Sequence, residues 1–327
     1  MIAVLFLVIL LAVSVVAVLM GGGSIAQLPI GPIALLIVLF CVFFAAGIYI
    51  AAALGILGII AGFAFSDRPF WDFIGQMVWQ PTTNFVLVAV PLFLLMGEIM
   101  LRAGLSDKLY RSLNLWFQRV PGGLLHTNIV SCSVFSAISG SSVATAATMG
   151  AVALPYFRRT AYSQPMVLGS LAAGGALGNL IPPGITFIVY GLITETSVGQ
   201  LYLAAVGPSI LVVLLFTLVI LVHGLRHPLK LPEKIPLKVK LIGLIDLIPT
   251  AILILIVLGT IYSGLATPTE SAALGVVGSI VFAVLSGRFS WKMLDESAKS
   301  TAHTTAFVGL ILCGAYVLNF IFGSLGV

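Results

Sequence analysis

Charge is scarce in this sequence: 8% of its 327 residues are Asp, Glu, Lys or Arg, against 60% hydrophobic residues. A water-soluble surface carries roughly 25–35% charged residues, so a soluble globular domain is excluded. Cysteine is nearly absent as well. Cys41, Cys132 and Cys313 each sit inside an apolar run without paired metal spacing, and read as small buried hydrophobes rather than a disulfide framework. The four histidines, His126, His223, His227 and His303, fall near the ends of apolar runs and supply no recognisable metal-ligand set. The first 20 residues have neither a basic n-region nor an Ala-x-Ala cleavage site, and therefore read as a retained span, not a signal peptide.

What is abundant is uninterrupted apolar length. Runs at 1–20, 31–65, 83–101, 164–194, 203–225, 245–263, 268–286 and 302–322 approach or exceed the roughly 20 residues needed to cross hydrocarbon. The second run is too long for one perpendicular helix and must tilt or kink. Residues 124–157 differ: two apolar arms flank "SAISGSSVATAATMG", and each arm is too short to span. They are expected to enter and leave by one face as a re-entrant hairpin.

The charge distribution agrees. Of 15 Lys and Arg, 14 fall in four loops: Arg102 to Arg119, Arg158 and Arg159, Arg226 to Lys240, and Arg288 to Lys299. These loops share a side only if 124–157 turns back. By the positive-inside tendency that side is cytoplasmic. The net charge of +5 thus reports topology and lipid contact, and nucleic acid is not expected as a partner. "AALGILG" at Ala52–Gly58 recurs as "AALGVVG" at Ala272–Gly278, an offset of 220 residues, with an odd number of crossings between the copies. Such inverted repeats build secondary transporters, whose sites lie at broken helices near the midplane.

One broken helix is written in the sequence. "GNLIPPG", Gly178 to Gly184, interrupts the run 164–194. Pro182 and Pro183 cannot donate backbone hydrogen bonds, and this frees carbonyls around Gly178 to Ile181. In lipid such carbonyls require protein, water or an ion. The hairpin tip, Ser139 to Ala144, has the same character, with glycine freedom at Gly140 and hydroxyls on Ser139, Ser141 and Ser142. Two oxygen-rich breaks facing one another suit a small hard cation, and Na⁺ is the candidate because no carboxylate cage accompanies them.

At these residues the chain resembles a known family. "ISGSSVATAATMGAVALP" followed by "GSLAAGGALGNLIPPGITFIVYGLITETSVGQL", with "PLFLLMGEIMLRAGL" before and "GLATPTESAALG" after, is similar to the large membrane subunit of the tripartite ATP-independent periplasmic (TRAP) transporters. The resemblance covers about residue 33 to the end. It implies an all-α polytopic membrane protein of the bacterial inner membrane, with an inverted-repeat, elevator-type transporter fold containing a re-entrant helical hairpin and a broken transmembrane helix. The implied organisation is an extra N-terminal span and loop (1–30), scaffold and arm helix (31–123), a transport-domain half (124–225), a basic cytoplasmic connector (226–244) and the opening of the second repeat (245–327).

The implied function is Na⁺-coupled import of small organic acids, of C4-dicarboxylate or sialic-acid type. The implied partners are a periplasmic substrate-binding protein (P subunit) and a small membrane (Q) subunit; no enzyme activity and no organic cofactor are implied. Carried over residue by residue, Ser139, Gly140, Ser141, Ser142 and Val143 match the hairpin tip, and Gly178, Asn179, Ile181, Pro182, Pro183 and Gly184 match the break. The Na⁺ ligands would come from Ser139, Gly140, Ser141, Asn179 and Pro182. The family pattern more often has hydroxyl residues where Ala176 and Gly184 stand. The 220-residue offset places counterparts of both breaks near positions 360 and 400, past Val327, so this polypeptide alone is expected not to transport.

Other features read as structural. "TPTE" at Thr267–Glu270 has the form of a capping box. Glu98 and Arg102 are spaced to pair. "LSDKLYRSLNLWFQRVPGG" is an amphipathic helix, with Leu109, Leu113, Trp116 and Phe117 on one face, expected at the membrane interface. Two other classes of function compete. An intramembrane serine protease would use Ser141 or Ser142 with His126 or His303, but leaves the double proline unexplained. The other is a non-transporting assembly or regulatory membrane subunit.

Overall fold

The computed structural model describes residues 30–65, 71–158, 160–228 and 235–325. The span expected at 1–20 lies outside them. Among the described residues every regular element is helical. Five helices among the described residues are long and apolar enough to cross a bilayer: Phe85–Arg102, Val198–Arg226, Leu237–Tyr262, Pro268–Leu285 and Trp291–Gly323. The chain is an all-α polytopic membrane protein.

The chain divides into two units, residues 1–84 with 304–327, and residues 85–303. In the first, the run 31–65, expected to tilt or kink as one span, is instead two helices, α1 (Ile30–Ala45) and α2 (Ile50–Phe65). The reason is local. Gly47 takes φ +72, and the N–H of Ile48 bonds back to the Phe43 carbonyl, which closes α1 before α2 begins. The two helices run antiparallel, burying Leu36 and Leu39 with Leu57 and Ala61 around Ile321. Each is about 24 Å long at 1.5 Å per residue. The amphipathic helix α3 (Trp71–Thr82) follows.

The second unit opens with a 3₁₀ turn at Phe85–Val88 and α4 (Ala89–Arg102), then α5 (Leu105–Phe117). The hairpin arms are α6 (Gly123–Ser139) and α7 (Ser142–Phe157), longer than the sequence implied because Ser and Thr near the tip remain helical. Next come α8 (Gln164–Ala176), the 3₁₀ turn Leu177–Asn179, α9 (Ile185–Ile193) and α10 (Val198–Arg226). The basic connector is partly helical, with α11 (Leu237–Gly243) leading into α12 (Ile248–Tyr262). Helix α13 (Pro268–Leu285) starts on the Thr267 and Glu270 capping box, in which each residue's side chain satisfies the other's backbone N–H. In α14 (Trp291–Leu325), Lys292 and Lys299 are helical rather than in a loop, and Lys299 meets Asp295 at 2.7 Å.

The amphipathic character of α5 serves protein packing. Leu109, Tyr110 and Leu113 are buried in one cluster with Leu125, Ile129, Phe135, Met149 and Leu171 of the hairpin and α8. Its other side takes the connector: Ser112 donates to the Gly243 carbonyl at 2.5 Å, Arg111 faces Asp246 at 3.5 Å, and Lys240 lies 5.5 Å from the Trp116 ring centre. Arg102 bridges Glu98 at 3.5 Å and Glu296 at 2.5 Å, while Ser300 donates to Glu98 at 2.8 Å. His223 and His227, four residues apart, stack with ring centres 4.6 Å apart.

The structure also lengthens the repeat. Residues 52–71 and 272–291 are identical at nine of twenty positions, out to Trp71 and Trp291. The helices match at the same offset: α1 with α12, α2 with α13, α3 with the start of α14. Packing is reciprocal. In the second unit Gly275 and Gly278 let α13 approach Met96 of α4 and Val257 and Leu253 of α12. In the first, Gly58 of α2 faces Val317 and Leu318 of α14, and Gly314 lies against Ala51 and Gly55. Position 316, the offset counterpart of Met96, falls in that stretch. Each unit therefore joins paired helices of one copy to a later helix of the other, the reciprocity expected of pseudo-symmetric halves.

Glycine is what permits these approaches, since a side chain would hold the backbones apart. A Cβ on Gly314 would lie 2.7 Å from the Ala51 carbonyl oxygen, whereas one on Gly309 would meet nothing within 4 Å. Gly314→Val is expected to destabilise the protein by about 1–3 kcal/mol through overpacking. Gly309→Ala should instead be neutral or stabilising by up to ~1 kcal/mol through helix propensity. Thermal unfolding of the two purified variants in detergent checks the contrast.

Candidate functional site

The hairpin tip and the helix break meet, backbone to backbone. Gly140 ends α6 at φ +59, and its own N–H bonds to the Ser136 carbonyl at 3.0 Å. That left-handed turn aims the Gly140 carbonyl at α9, where it accepts the N–H of Ile185 at 3.0 Å. The N-cap residue of α9, Gly184, has no side chain to offer, so the hairpin tip caps this helix across space. A Cβ on Gly140 would fall on the Pro183 carbonyl oxygen, and one on Gly178 would lie 2.5 Å from the Ser141 carbonyl carbon and oxygen.

The break follows from two missing donors. In a continuous helix the N–H groups of residues 182 and 183 would bond the carbonyls of Gly178 and Asn179. Both positions are proline, so neither donor exists. The Pro182–Pro183 peptide is cis. Leu177 keeps its carbonyl engaged, by the N–H of Ile181 at 2.8 Å and of Leu180 at 3.0 Å. The Leu180 carbonyl would ordinarily pair with the N–H of residue 184, but Gly184 is extended at φ −65, ψ 136. It accepts instead from the Ser209 hydroxyl of α10, at 2.9 Å. The Asn179 carbonyl stays beside Gly184, where a Cβ would be 3.1 Å away.

The side chains of the tip divide by role. Ser139 is buried and shares a hydrogen bond of 2.8 Å with Thr145. Ser141 caps α7 by accepting the Ala144 N–H at 3.4 Å. Ser142 is half-buried with its backbone against Gly178, while Val143 is 77% exposed and takes no part in the junction. Across from them Pro182, Pro183 and Gly184 are buried, Ile181 is half-buried, and the Asn179 side chain is exposed. No ionisable group occurs at 139–145 or 177–185. The electrostatics of the junction are those of neutral dipoles: hydroxyls, carbonyls and the N-terminus of α9.

Three contributors were not anticipated. Thr145 completes the Ser139 pair; its signal was only another hydroxyl, one turn beyond the tip. Gly97 of α4 brings that helix against the tip, since a Cβ there would sit 3.0 Å from Ser139 Cα. Ser209 stands beside Pro208 in an otherwise apolar stretch, which was the available sign of a polar task. Behind the junction, Tyr110 donates to Asn128 at 2.7 Å and Asn128 to Ser170 at 2.8 Å, which fixes α5, α6 and α8 in register.

The class of protein that the fold defines is an all-α membrane protein with a hairpin tip seated against a broken helix. The family model for the tripartite ATP-independent periplasmic transporter, DctM component, matches residues 37–327, and the chain belongs to that family. It is similar to the C4-dicarboxylate TRAP transporter large permease DctM of Pseudomonas aeruginosa, 34% identical over 247 residues, covering 74% of this chain and 58% of the relative. The sialic acid TRAP transporter large permease SiaM of Vibrio cholerae is 30% identical over 255 residues, 76% of this chain and 59% of the relative. The isethionate TRAP transporter permease DctMQ of Oleidesulfovibrio alaskensis is 30% identical over 279 residues, 84% and 44% respectively. The chain spans well under two thirds of the length of these three relatives. It is a multi-pass inner-membrane protein.

The junction makes the glycine demands testable. Gly140→Ala forces a left-handed residue, costing about 1–2 kcal/mol, and drives a methyl into the Pro183 carbonyl. Gly150→Ala, where nothing lies within 4 Å, is the matched control. Hydrogen exchange of the amides at 141–145 and 185–187 should accelerate in Gly140→Ala and stay unchanged in Gly150→Ala.

Proposed function

We propose that this chain forms part of the large permease of a Na⁺-coupled, binding-protein-dependent transporter for small organic acids. The observation that carries the reading is the junction itself, in which the Gly178 and Asn179 carbonyls lose their helical donors to two prolines and the Gly178 backbone lies against the hydroxyl-bearing tip at Ser141 and Ser142. Burying an amide carbonyl without a partner costs roughly 2–7 kcal/mol. A desolvated alkali ion supplies the positive charge that such oxygens need, without requiring a carboxylate. The residues present fit that group: carbonyl oxygens from the break, the Ser139 and Thr145 hydroxyls, and no competing cationic side chain. Bound there, Na⁺ would neutralise the converging dipoles and so favour the closed junction.

The chain's own residues do the remaining work. The Gly140 carbonyl and Ile185 N–H lock the tip onto α9. The exposed Thr186, in the first turn of α9, lies at the positive end of that helix dipole, where an anionic substrate group is favoured. The buried Tyr110, Asn128 and Ser170 chain holds the arm helix to the hairpin, so that α5 to α8 would travel as one body in an elevator motion. The large permease relatives carry names for C4-dicarboxylate and sialic acid transport, which supports a carboxylate as cargo. A soluble binding protein delivering it and a small membrane subunit beside it complete the proposed assembly, and the relative named DctMQ agrees with the latter.

Thermal unfolding of the purified chain in NaCl and in KCl of equal ionic strength tests the cation. A ligand at ten times its Kd adds about 1.4 kcal/mol of stability, so a Na⁺-specific, saturable rise in Tm is expected, and Ser139→Ala should weaken its half-saturation. Identical melting in the two salts removes the basis of the reading.

A further inference from the structure

We infer that Ser209 is a positioning residue that withholds one carbonyl from the cation-facing set at the helix break, so that cation choice depends on a hydroxyl in the next helix. This rests on the Na⁺ reading above and deepens it. The break releases four carbonyls from helical pairing: those of Gly178 and Asn179, opposite the two prolines, that of Leu180, opposite the extended Gly184, and that of Ile181, whose usual donor, the Ile185 N–H, goes to Gly140. Ser209 donates its hydroxyl proton to the Leu180 oxygen at 2.9 Å and is itself 6% exposed. Of the four, Leu180 is the one that a side chain engages.

The contact belongs to a longer arrangement. Helix α10 runs antiparallel to α9 in a single register. At the turn between them a Cβ on Gly191 would lie 2.9 Å from Val198; further along, the Tyr202 ring meets Phe187 edge to face at 5.9 Å; beyond that, Ser209 meets Leu180. One continuous helix thus splints both the segment after the break and the break itself. Pro208 precedes the serine inside α10. Between Leu203 and Val222 the other hydroxyl-bearing residue is Thr217, two turns further on. A hydroxyl at 209 is placed where the Leu180 carbonyl needs a donor.

The consequence is chemical. The number and field strength of coordinating carbonyl dipoles set the preference among alkali ions. A carbonyl already accepting a hydrogen bond is turned toward its donor and has less to offer a cation. Ser209→Ala returns the Leu180 oxygen to the set and removes a support of the break, while Ser209→Thr keeps the donor.

The test is thermal unfolding of the purified full chain in LiCl, NaCl and KCl at equal ionic strength, for wild type, Ser209→Ala and Ser209→Thr. Wild type should show a Na⁺-specific rise in Tm. In Ser209→Ala the half-saturating Na⁺ concentration should rise about tenfold or the order of the three cations should change, with Ser209→Thr restoring wild-type behaviour. A Ser209→Ala protein whose Tm falls equally in all three salts, with cation order and half-saturation intact, reduces Ser209 to a structural contact and overturns this assignment alone. A wild type indifferent to the three cations overturns the sodium reading, and the assignment falls with it.

Discussion

Backbone carbonyls in hydrocarbon have no water to bind, and the irregular stretches inside this chain's apolar runs answer to that constraint. Continuous helices such as α10 satisfy it internally. The two irregular stretches at the centre of the second unit, Gly140–Ser141 and Leu180–Gly184, satisfy it largely through each other and through α10. The Gly140 carbonyl takes the first free N–H of α9. Ser209 takes the Leu180 carbonyl. The carbonyls of Gly178 and Asn179, which lose their helical donors to the two prolines, are the oxygens on which the proposed cation reading rests.

The same constraint explains where glycine is used. At Gly140 and Gly178 the backbones of tip and break approach so closely that no Cβ fits, and in α8 Gly174 and Gly175 leave no room for one against Cys132 and Ala146 of the hairpin. In the scaffold-like helices Gly58, Gly275, Gly278 and Gly314 allow the repeat-related pairs to pack. Apolar side chains gain little by leaving lipid for protein, so van der Waals fit between backbones and small residues has to hold membrane helices together. Polar support is concentrated at the hairpin base, where Tyr110, Asn128 and Ser170 link three elements.

Much of this was legible in sequence, because it follows from residue chemistry alone. The double proline announced the break, the Ser/Gly cluster the tip, and the capping box at Thr267 the start of α13. Where sequence reading went astray, geometry had the deciding role. Residues 31–65 form one apolar run, yet Gly47 turns it into two antiparallel helices. The amphipathic pattern of α5 marked a face to be covered, and Leu109, Tyr110 and Leu113 of that helix pack on Leu125, Ile129 and other hairpin residues, while Trp116 stays 36% exposed. Hydrophobic periodicity identifies a face that must be covered, but lipid and protein cover it equally well. Val143 matched the tip motif and points away from the junction; Thr145, Gly97 and Ser209 matched no motif and are part of it.

By itself the sequence determined the solvent, the helical class, the two points where helices fail and the residue types found there, since these depend on side-chain chemistry and on the absence of proline N–H groups. Only the tertiary structure decided that the two failures face one another, which carbonyls find donors and which helix braces the break. Those outcomes depend on contacts between residues tens of positions apart, such as Gly140 with Ile185 and Leu180 with Ser209. No local pattern encodes such a distance, and it is set only once the helices have packed.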